Sequence, residues 1–364
     1  MAQSNSHSRR DFLQGKAATD ALVEKAQVWL DATSELLGVT PPAGSVLHLR
    51  ARRHAMACEF ALQFHEQDRH ASGDVLSALD LIEELEAQMT IYRDTSELIE
   101  INQYAADQYV NVESGLFALL ELAARLHRET GGAFDITSSP LSHAWGFLRR
   151  EGQLPSAVKI SEALDKVNGA NVQLDPSQQT IRFLDRAVEI NLNSIGKGYA
   201  LDRAGAQLDA CGLRDYLWHG GGSSVLARGA NRADTKAAWT LGLRHPRQPA
   251  RRVAEFTLRD QGLATAGGAS QFFEHNGRHL SHIIDPRTGW PAEGVLTSTV
   301  VAPTAAEADA LATAFFVMGA DDVADYCELH PEIGAVLVCP GETAESIVMH
   351  HFGLTEDSFT TLAE

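Results

Sequence analysis

The stretch that most limits the architecture is "ADALATAFFVMG", residues 308–319. Apolar side chains surround nearly all of it, and a helix that is apolar all round must be covered by the rest of the chain. A glycine closes it, as expected at a helix C-terminus. Asp309 and Thr313 break the pattern. They stand four residues apart and therefore share one helix face. A carboxylate and a hydroxyl stacked inside an apolar helix need partners, either a neighbouring backbone group to cap or a ligand to hold.

A chain of 364 residues can bury the core that such a helix requires, as one large domain or two. Hydrophobic content of 44% and charged content of 21% are ordinary for a soluble globular protein. The formal net charge of −18 argues against a phosphate-backbone-binding surface, so no nucleic-acid partner is expected. It leaves room for a phosphorylated small ligand, which one local Lys or Arg can hold. Cys58, Cys211, Cys327 and Cys339 show no CxxC spacing and are expected to be free, buried thiols. No run approaches the roughly 18 apolar residues needed to cross a bilayer, so no transmembrane segment is expected.

The start, "SHSRRDFLQGKAA", is similar to a twin-arginine export signal around Arg9 and Arg10. Such a signal needs an uncharged apolar stretch next. Asp20, Glu24, Lys25, Asp31 and Glu35 follow instead, and residues 17–37 read as an amphipathic helix with Leu22, Ala26, Trp29 and Leu30 on one face. The expectation is a degenerate signal and a cytoplasmic protein, with periplasmic export as the alternative. "TPPAG" (Thr40–Gly44) separates this leading segment, residues 1–44, from a main domain over 45–355.

Within that domain "SVLHLRARRHAMACEFALQF" alternates like a pair of strands. "ASGDVLSALDLIEELEAQM" and "ESGLFALLELAARLHRET" have helical period. From about 179 to 266 short strands ("TIRFL", "AVEINL", "WTLGL", "RVAEFTL") surround one helix after Gly198, and a strand pair near 279–303 precedes the helix at 308. "IGAVLVC" follows it as a further strand. Helices and strands come in blocks, which predicts an α+β domain.

Polar, glycine-containing segments punctuate the pattern. "ETGGAFDITSSPL" places Asp135 at a helix-to-loop junction, where the glycines suit a C-cap. "INLNSIGKGYALDRAG" runs from an apolar strand through a glycine turn into Lys197 and a helix. Free helix N–H groups beside a lysine can bind phosphate, although the GxxxxGK[ST] spacing is absent. "HGGGSSVLARG" is a glycine-rich strand entry, where backbone can approach a ligand closely. "SHIIDPRTGWP" ends a strand in an Asp-Pro turn and carries His282. Each segment alone is as well explained by ordinary turns.

Taken in order, "MACEFAL", "MTIYRDTSELIEIN", "TGGAFDITSSPL", "INLNSIGKGYALDRAG", "GGGSSVLARG", "LATAGGASQFFE", "SHIIDPRTGWP" and "ADALATAFFVMG" resemble the FAD:protein FMN transferase family, also called ApbE. The resemblance runs from about residue 50 to 350. It implies an α+β fold of mixed or antiparallel sheets with packed helices. It implies binding of FAD and Mg2+, cleavage of the pyrophosphate, release of AMP, and attachment of FMN to a Ser or Thr of an acceptor flavoprotein. By resemblance Asp309 and Thr313, with a backbone oxygen near Ser194, are the Mg2+ ligands. Mg2+ prefers oxygen donors and shares its shell with phosphate. Met56, Tyr92, Ala133, Phe134, Asp135 and Asn191 match residues of the FAD site, Asp135 being suited to hydrogen-bond a flavin or adenine edge. Lys197 would neutralise phosphate, and His282 lies next to the diphosphate in the family's motif.

The sequence departs from that pattern by losing acid. Asn191, Ser223 and Gly268 stand where the family usually carries aspartates. None of the three can act as a base. Three readings follow: FMN transfer to a protein, a Mg2+-dependent FAD pyrophosphatase that sends FMN to water, and a non-catalytic flavin-binding maturation protein.

Overall fold

The computed structural model describes residues 48–147, 152–232, 237–268, 272–275, 278–343 and 345–362, with the side chains of 278 and 279 left out. The twin-arginine-like start, the amphipathic helix over 17–37 and the Thr40–Gly44 break lie outside the described residues. Eight strands, numbered along the chain, make one antiparallel sheet in which each strand lies beside its predecessor. They are β1 (His48–Ala55), β2 (Cys58–His65), β3 (Tyr216–Gly220), β4 (Ser224–Arg228), β5 (Gln261–Gly267), β6 (Thr297–Ala302), β7 (Gly334–Pro340) and β8 (Ile347–Phe352). In the inner strands the side chains alternate between two buried faces, as the two-residue period of a strand requires. Trp218, Leu226, Ala264, Val300 and Leu337 face the helices. Leu217, Val225, Leu263, Val301 and Val336 face a second, three-stranded sheet made of Trp239–Arg244, Arg252–Leu258 and Phe359–Thr361. That last strand carries the fold past residue 355.

The helices are α1 (Ser72–Met89), α2 (Glu97–Tyr104), α3 (Ser114–Glu129), α4 (Ser139–Ala144), α5 (Ala157–Leu164), α6 (Gly196–Ala210), α7 (Ala305–Met318) and α8 (Ala320–Leu329). The α+β expectation holds. Helix α7 is the central one: it lies on β4, β5 and β6 and is flanked by α3, α6 and α8. Every residue from Ala305 to Ala312 is buried, which explains why its sequence is apolar on all sides. Thr304 caps its start by accepting from the Glu307 amide, and Gly319 at φ 80° ends it.

Two glycines let α7 sit this deep. A Cβ on Gly198 would lie 2.1 Å from the Ala305 carbonyl oxygen, and one on Gly262 would lie 2.5 Å from the Ala305 Cα. Neither contact is possible, so α6 and β5 both need glycine where they touch the first turn of α7.

Three expectations need correction. "AVEINL" is not a strand, although Val188, Ile190 and Leu192 are buried. The Ile190 amide donates to the Asn102 side-chain oxygen, and the Asn191 amide donates to the Ile136 carbonyl. An asparagine side chain thus takes the part of a neighbouring strand. The strands near 279–303 do not pair with each other: Arg278–Ser281 pairs with Phe272–His275, whereas β6 lies between β5 and β7. The four cysteines are free, but Cys211 is exposed and only Cys327 is fully buried.

Candidate active site

Strand β5 runs past the end of β4. Beyond Ala264, its partner opposite Ser224, the Thr265 amide still reaches across, to the Ser223 carbonyl. The divergence opens a cleft of about 400 Å³. Its walls come from the 133–147 segment, the turn at 191–197, the end of β5, residues 282–286, and α7. Of the residues picked from the sequence, Ala133, Phe134, Asp135, Asn191, Ser194, Lys197, His282, Asp309 and Thr313 all line it. Met56 and Tyr92 do not. Met56 is at the β1–β2 hairpin tip, and Tyr92 is 72% exposed.

Lys197 and Asp309 are the centre of the cleft. The Lys197 Nζ donates to Asp309 Oδ2 at 3.4 Å. The same oxygen accepts the Gly198 amide at 3.2 Å, and Oδ1 accepts the Ser224 hydroxyl at 2.9 Å. Asp309 is 7% exposed, so its charge is held by a helix N-terminus, an ammonium and a hydroxyl rather than by bulk water. The capping reading of this carboxylate is therefore realised, and the same carboxylate also faces the cleft. Thr313 follows one turn later on the same wall.

Asp135 also lines the cleft, but its carboxylate is turned to the protein. Oδ1 accepts from the Thr137 amide and hydroxyl at 2.8 and 2.6 Å, and Oδ2 accepts from the Gly169 amide at 3.0 Å. His127 Nδ1 lies 3.3 Å from Oδ2. With its lone pairs so occupied, Asp135 fixes the shape of the loop and has little left for the edge of a flavin or adenine ring. The glycine C-cap reading of this segment is also correct, since Gly131 and Gly132 close α3 at φ 57° and 81°.

His282 faces the cleft edge-on to Phe147, ring centroids 6.4 Å apart. Asn191 and Ser223 line the cleft, so two of the three lost acids would have stood in it. Gly268 does not. It faces a neighbouring cavity, where a Cβ would lie 3.1 Å from that of Ser281 and 3.4 Å from the Phe316 ring. Burial raises the pKa of the Cys58 thiol, and Lys197 offsets this only in part, so that thiol stays protonated beside the site.

Sequence reasoning missed Ser224, Phe147, and the hydroxyls of Ser138, Ser139 and Ser142, all now at or behind the cleft wall. Proximity in sequence to Asp135 and Ser223 was the available signal.

The ApbE family model matches residues 56–337. The FAD:protein FMN transferase of Haemophilus influenzae is 30% identical over 256 residues, 68% of this chain and 73% of that protein. The chain belongs to the ApbE family. The FAD:protein FMN transferase of Vibrio cholerae is 30% identical over 302 residues, 80% of this chain and 87% of its own length. Among solved structures, the ApbE protein of Thermotoga maritima superposes with a TM-score of 0.73 at 26% identity, covering 83% of this chain and 96% of that one.

Proposed function

We propose that this member of the flavin transferase family moves FMN from FAD to a serine or threonine hydroxyl of an acceptor protein and releases AMP. The observation that carries the reading is the Lys197–Asp309 pair at the N-terminus of α6, inside a hydroxyl-lined cleft. A diphosphate needs positive charge, and here the one lysine is already neutralised by Asp309. A divalent cation would supply what is missing. The donors fit one: a carboxylate with a lone pair to spare, the Thr313 hydroxyl, and the backbone near Ser194 are all oxygens, the set that Mg2+ prefers. Bound there, the cation would neutralise charge on the diphosphate and polarise the phosphorus under attack.

The chain's own groups do the rest. Asp309 and Thr313 would hold the cation, and Lys197, released from part of its ion pair, would be available to the phosphate. The acceptor oxygen attacks the FMN phosphorus. The bond from that phosphorus to the bridging oxygen breaks, and its electron pair leaves on AMP. His282 is the base that fits the hydroxyl proton, because Asp135 is occupied by protein donors and Asn191 and Ser223 cannot accept one. Hydrolysis is the second reading, with water in place of the acceptor.

The test is to incubate the protein with FAD, with and without Mg2+, and to follow AMP and covalent flavin fluorescence on an acceptor domain. AMP with labelled acceptor supports transfer, and AMP alone supports the pyrophosphatase. Asp309→Ala should abolish most Mg2+-dependent AMP release while the circular dichroism spectrum is kept. Unchanged release would remove Asp309 from the cation site.

A further inference from the structure

Helices α6 and α7 cap each other. The local N-cap of α7, Thr304, serves only the third amide of that helix. Its first two amides, on Ala305 and Ala306, donate to Asp202 Oδ1 at 2.9 Å and Oδ2 at 2.8 Å. Asp202 belongs to α6. In return, α6 has an N-cap residue, Ile195, with no side-chain acceptor, and its Gly198 amide donates to Asp309 of α7. The arrangement is reciprocal in detail. In each helix one first-turn residue (Gly198, Ala305) gives an amide, and the residue four further on (Asp202, Asp309) gives a carboxylate to the other helix. Gly198 permits it, since any Cβ there would strike the Ala305 carbonyl.

The two carboxylates differ in what else they meet. Asp309 opens on the cleft and also holds Lys197 and Ser224. Asp202 does not line the cleft, and its two carboxylate oxygens accept the two α7 amides. We infer that Asp202 is a positioning residue for the cation site: it fixes the first turn of α7 on α6, and thereby the place of Asp309 and Thr313, independently of what Asp309 itself is holding. The inference rests on the reading of Asp309 as a Mg2+ ligand. A ligand that shares its charge with a cation loosens its grip on Gly198, and the interface then depends on the Asp202 half of the clamp. Partners that orient a metal ligand from behind typically alter metal affinity by about 10–100-fold when removed.

Titration of MgCl2 into the FAD-free protein, followed by calorimetry, and of MnCl2, followed by electron paramagnetic resonance, tests this. Asp202→Asn keeps one acceptor and sets an amide N–H2 against a backbone N–H. It is expected to weaken binding of both ions by about tenfold or more, with the circular dichroism spectrum unchanged. Asp202→Glu, which keeps the carboxylate, should recover part of the loss. Equal affinity in wild type and Asp202→Asn overturns the positioning role while leaving the Mg2+ reading intact. Binding that survives Asp309→Asn unchanged, or no ion binding by wild type, overturns the Mg2+ reading and the inference with it. Should Asp202→Asn fail to fold, amide exchange of wild type decides. With Mg2+ the Gly198 amide should lose protection while Ala305 and Ala306 keep theirs, and loss at Ala305 and Ala306 would overturn the inference.

Discussion

Gly198→Ala is the smallest change that tests how α6 and α7 fit together. The added methyl would stand 2.1 Å from the Ala305 carbonyl oxygen, 2.4 Å from its carbon and 2.6 Å from the Ala306 amide nitrogen. All three are backbone atoms, so no side chain can swing aside. Real Cβ atoms stay beyond 3.0 Å, and the helices must therefore part by at least 0.9 Å. The Gly198–Asp309 hydrogen bond, already 3.2 Å, would then be lost, and the Asp202 bonds to Ala305 and Ala306 would stretch. Overpacking costs about 1–3 kcal/mol, and each hydrogen bond to a charged group is worth about 1.5–3 kcal/mol. Alanine returns about 1 kcal/mol in helix propensity. The net expectation is a loss of about 1.5–5 kcal/mol, read as a lower urea midpoint at unchanged slope. Gly73→Ala in α1 is the control, because a Cβ there meets nothing within 4 Å. It should gain about 0.5–1 kcal/mol. If Gly198→Ala unfolds within 1 kcal/mol of wild type, the close packing of the two helices is not what holds Asp309 in place.

Other predictions are independent of that interface. Met56 and Ala57 form the two-residue tip of the β1–β2 hairpin at φ 50° and 58°, a left-handed pair with no glycine or asparagine. Ala57→Gly should stabilise the protein by roughly 1 kcal/mol, and a midpoint that falls would mean the tip carries no strain. Burial, with Arg50 second, lowers the pKa of His219 to about 4. A base neutral in the fold but protonated when unfolded contributes stability that is complete above the unfolded pKa of about 6.5 and is lost as the pH falls from there towards 4. His219→Gln should flatten the stability profile across that window, and an unchanged acid limb would assign it to other groups. Asn191→Asp restores acid in the cleft while keeping the oxygen that accepts the Asn193 amide. It should raise transfer to an acceptor by roughly 10²-fold if a base is what the cleft lacks, with His282→Ala as the comparison. A slower Asn191→Asp enzyme would mean that the uncharged cleft is itself the adaptation.

Local periodicity was enough to read α7 as a helix and β1, β2, β4, β6 and β7 as strands, because each carries its pattern within one element. β3, β5 and β8 went unread, β8 lying at an edge of the sheet with partly exposed residues such as Val348, and β5 being made mostly of glycine and alanine. The cleft was legible as a set of segments through their order, not their chemistry. What stayed hidden depends on residues far apart in the chain. Asp202 and Ala305 meet across about a hundred positions, as do Gly198 and Asp309, and no pattern in either helix announces the other. Residues 187–192 misled for a related reason: their alternation reflects real burial, but Asn102 supplies the hydrogen bonds that a strand would have given. Asp135 misled in the opposite sense, since a polar residue in a segment read as ligand-binding is occupied by Thr137, Gly169 and His127.

The order of strands in the large sheet equals their order in the chain, and this separates two kinds of change. The cleft's other walls come mainly from two excursions, residues 66–215 between β2 and β3 and residues 268–296 between β5 and β6. Either excursion begins and ends on adjacent strands, so its length can vary without exchanging any strand's neighbours. For a flexible loop each doubling of length costs only about 0.6 kcal/mol in closure. A protein built this way can be refitted to a differently shaped acceptor by lengthening or trimming one excursion, while β4, β5 and α7 keep Ser224, Thr265 and Asp309 where they stand.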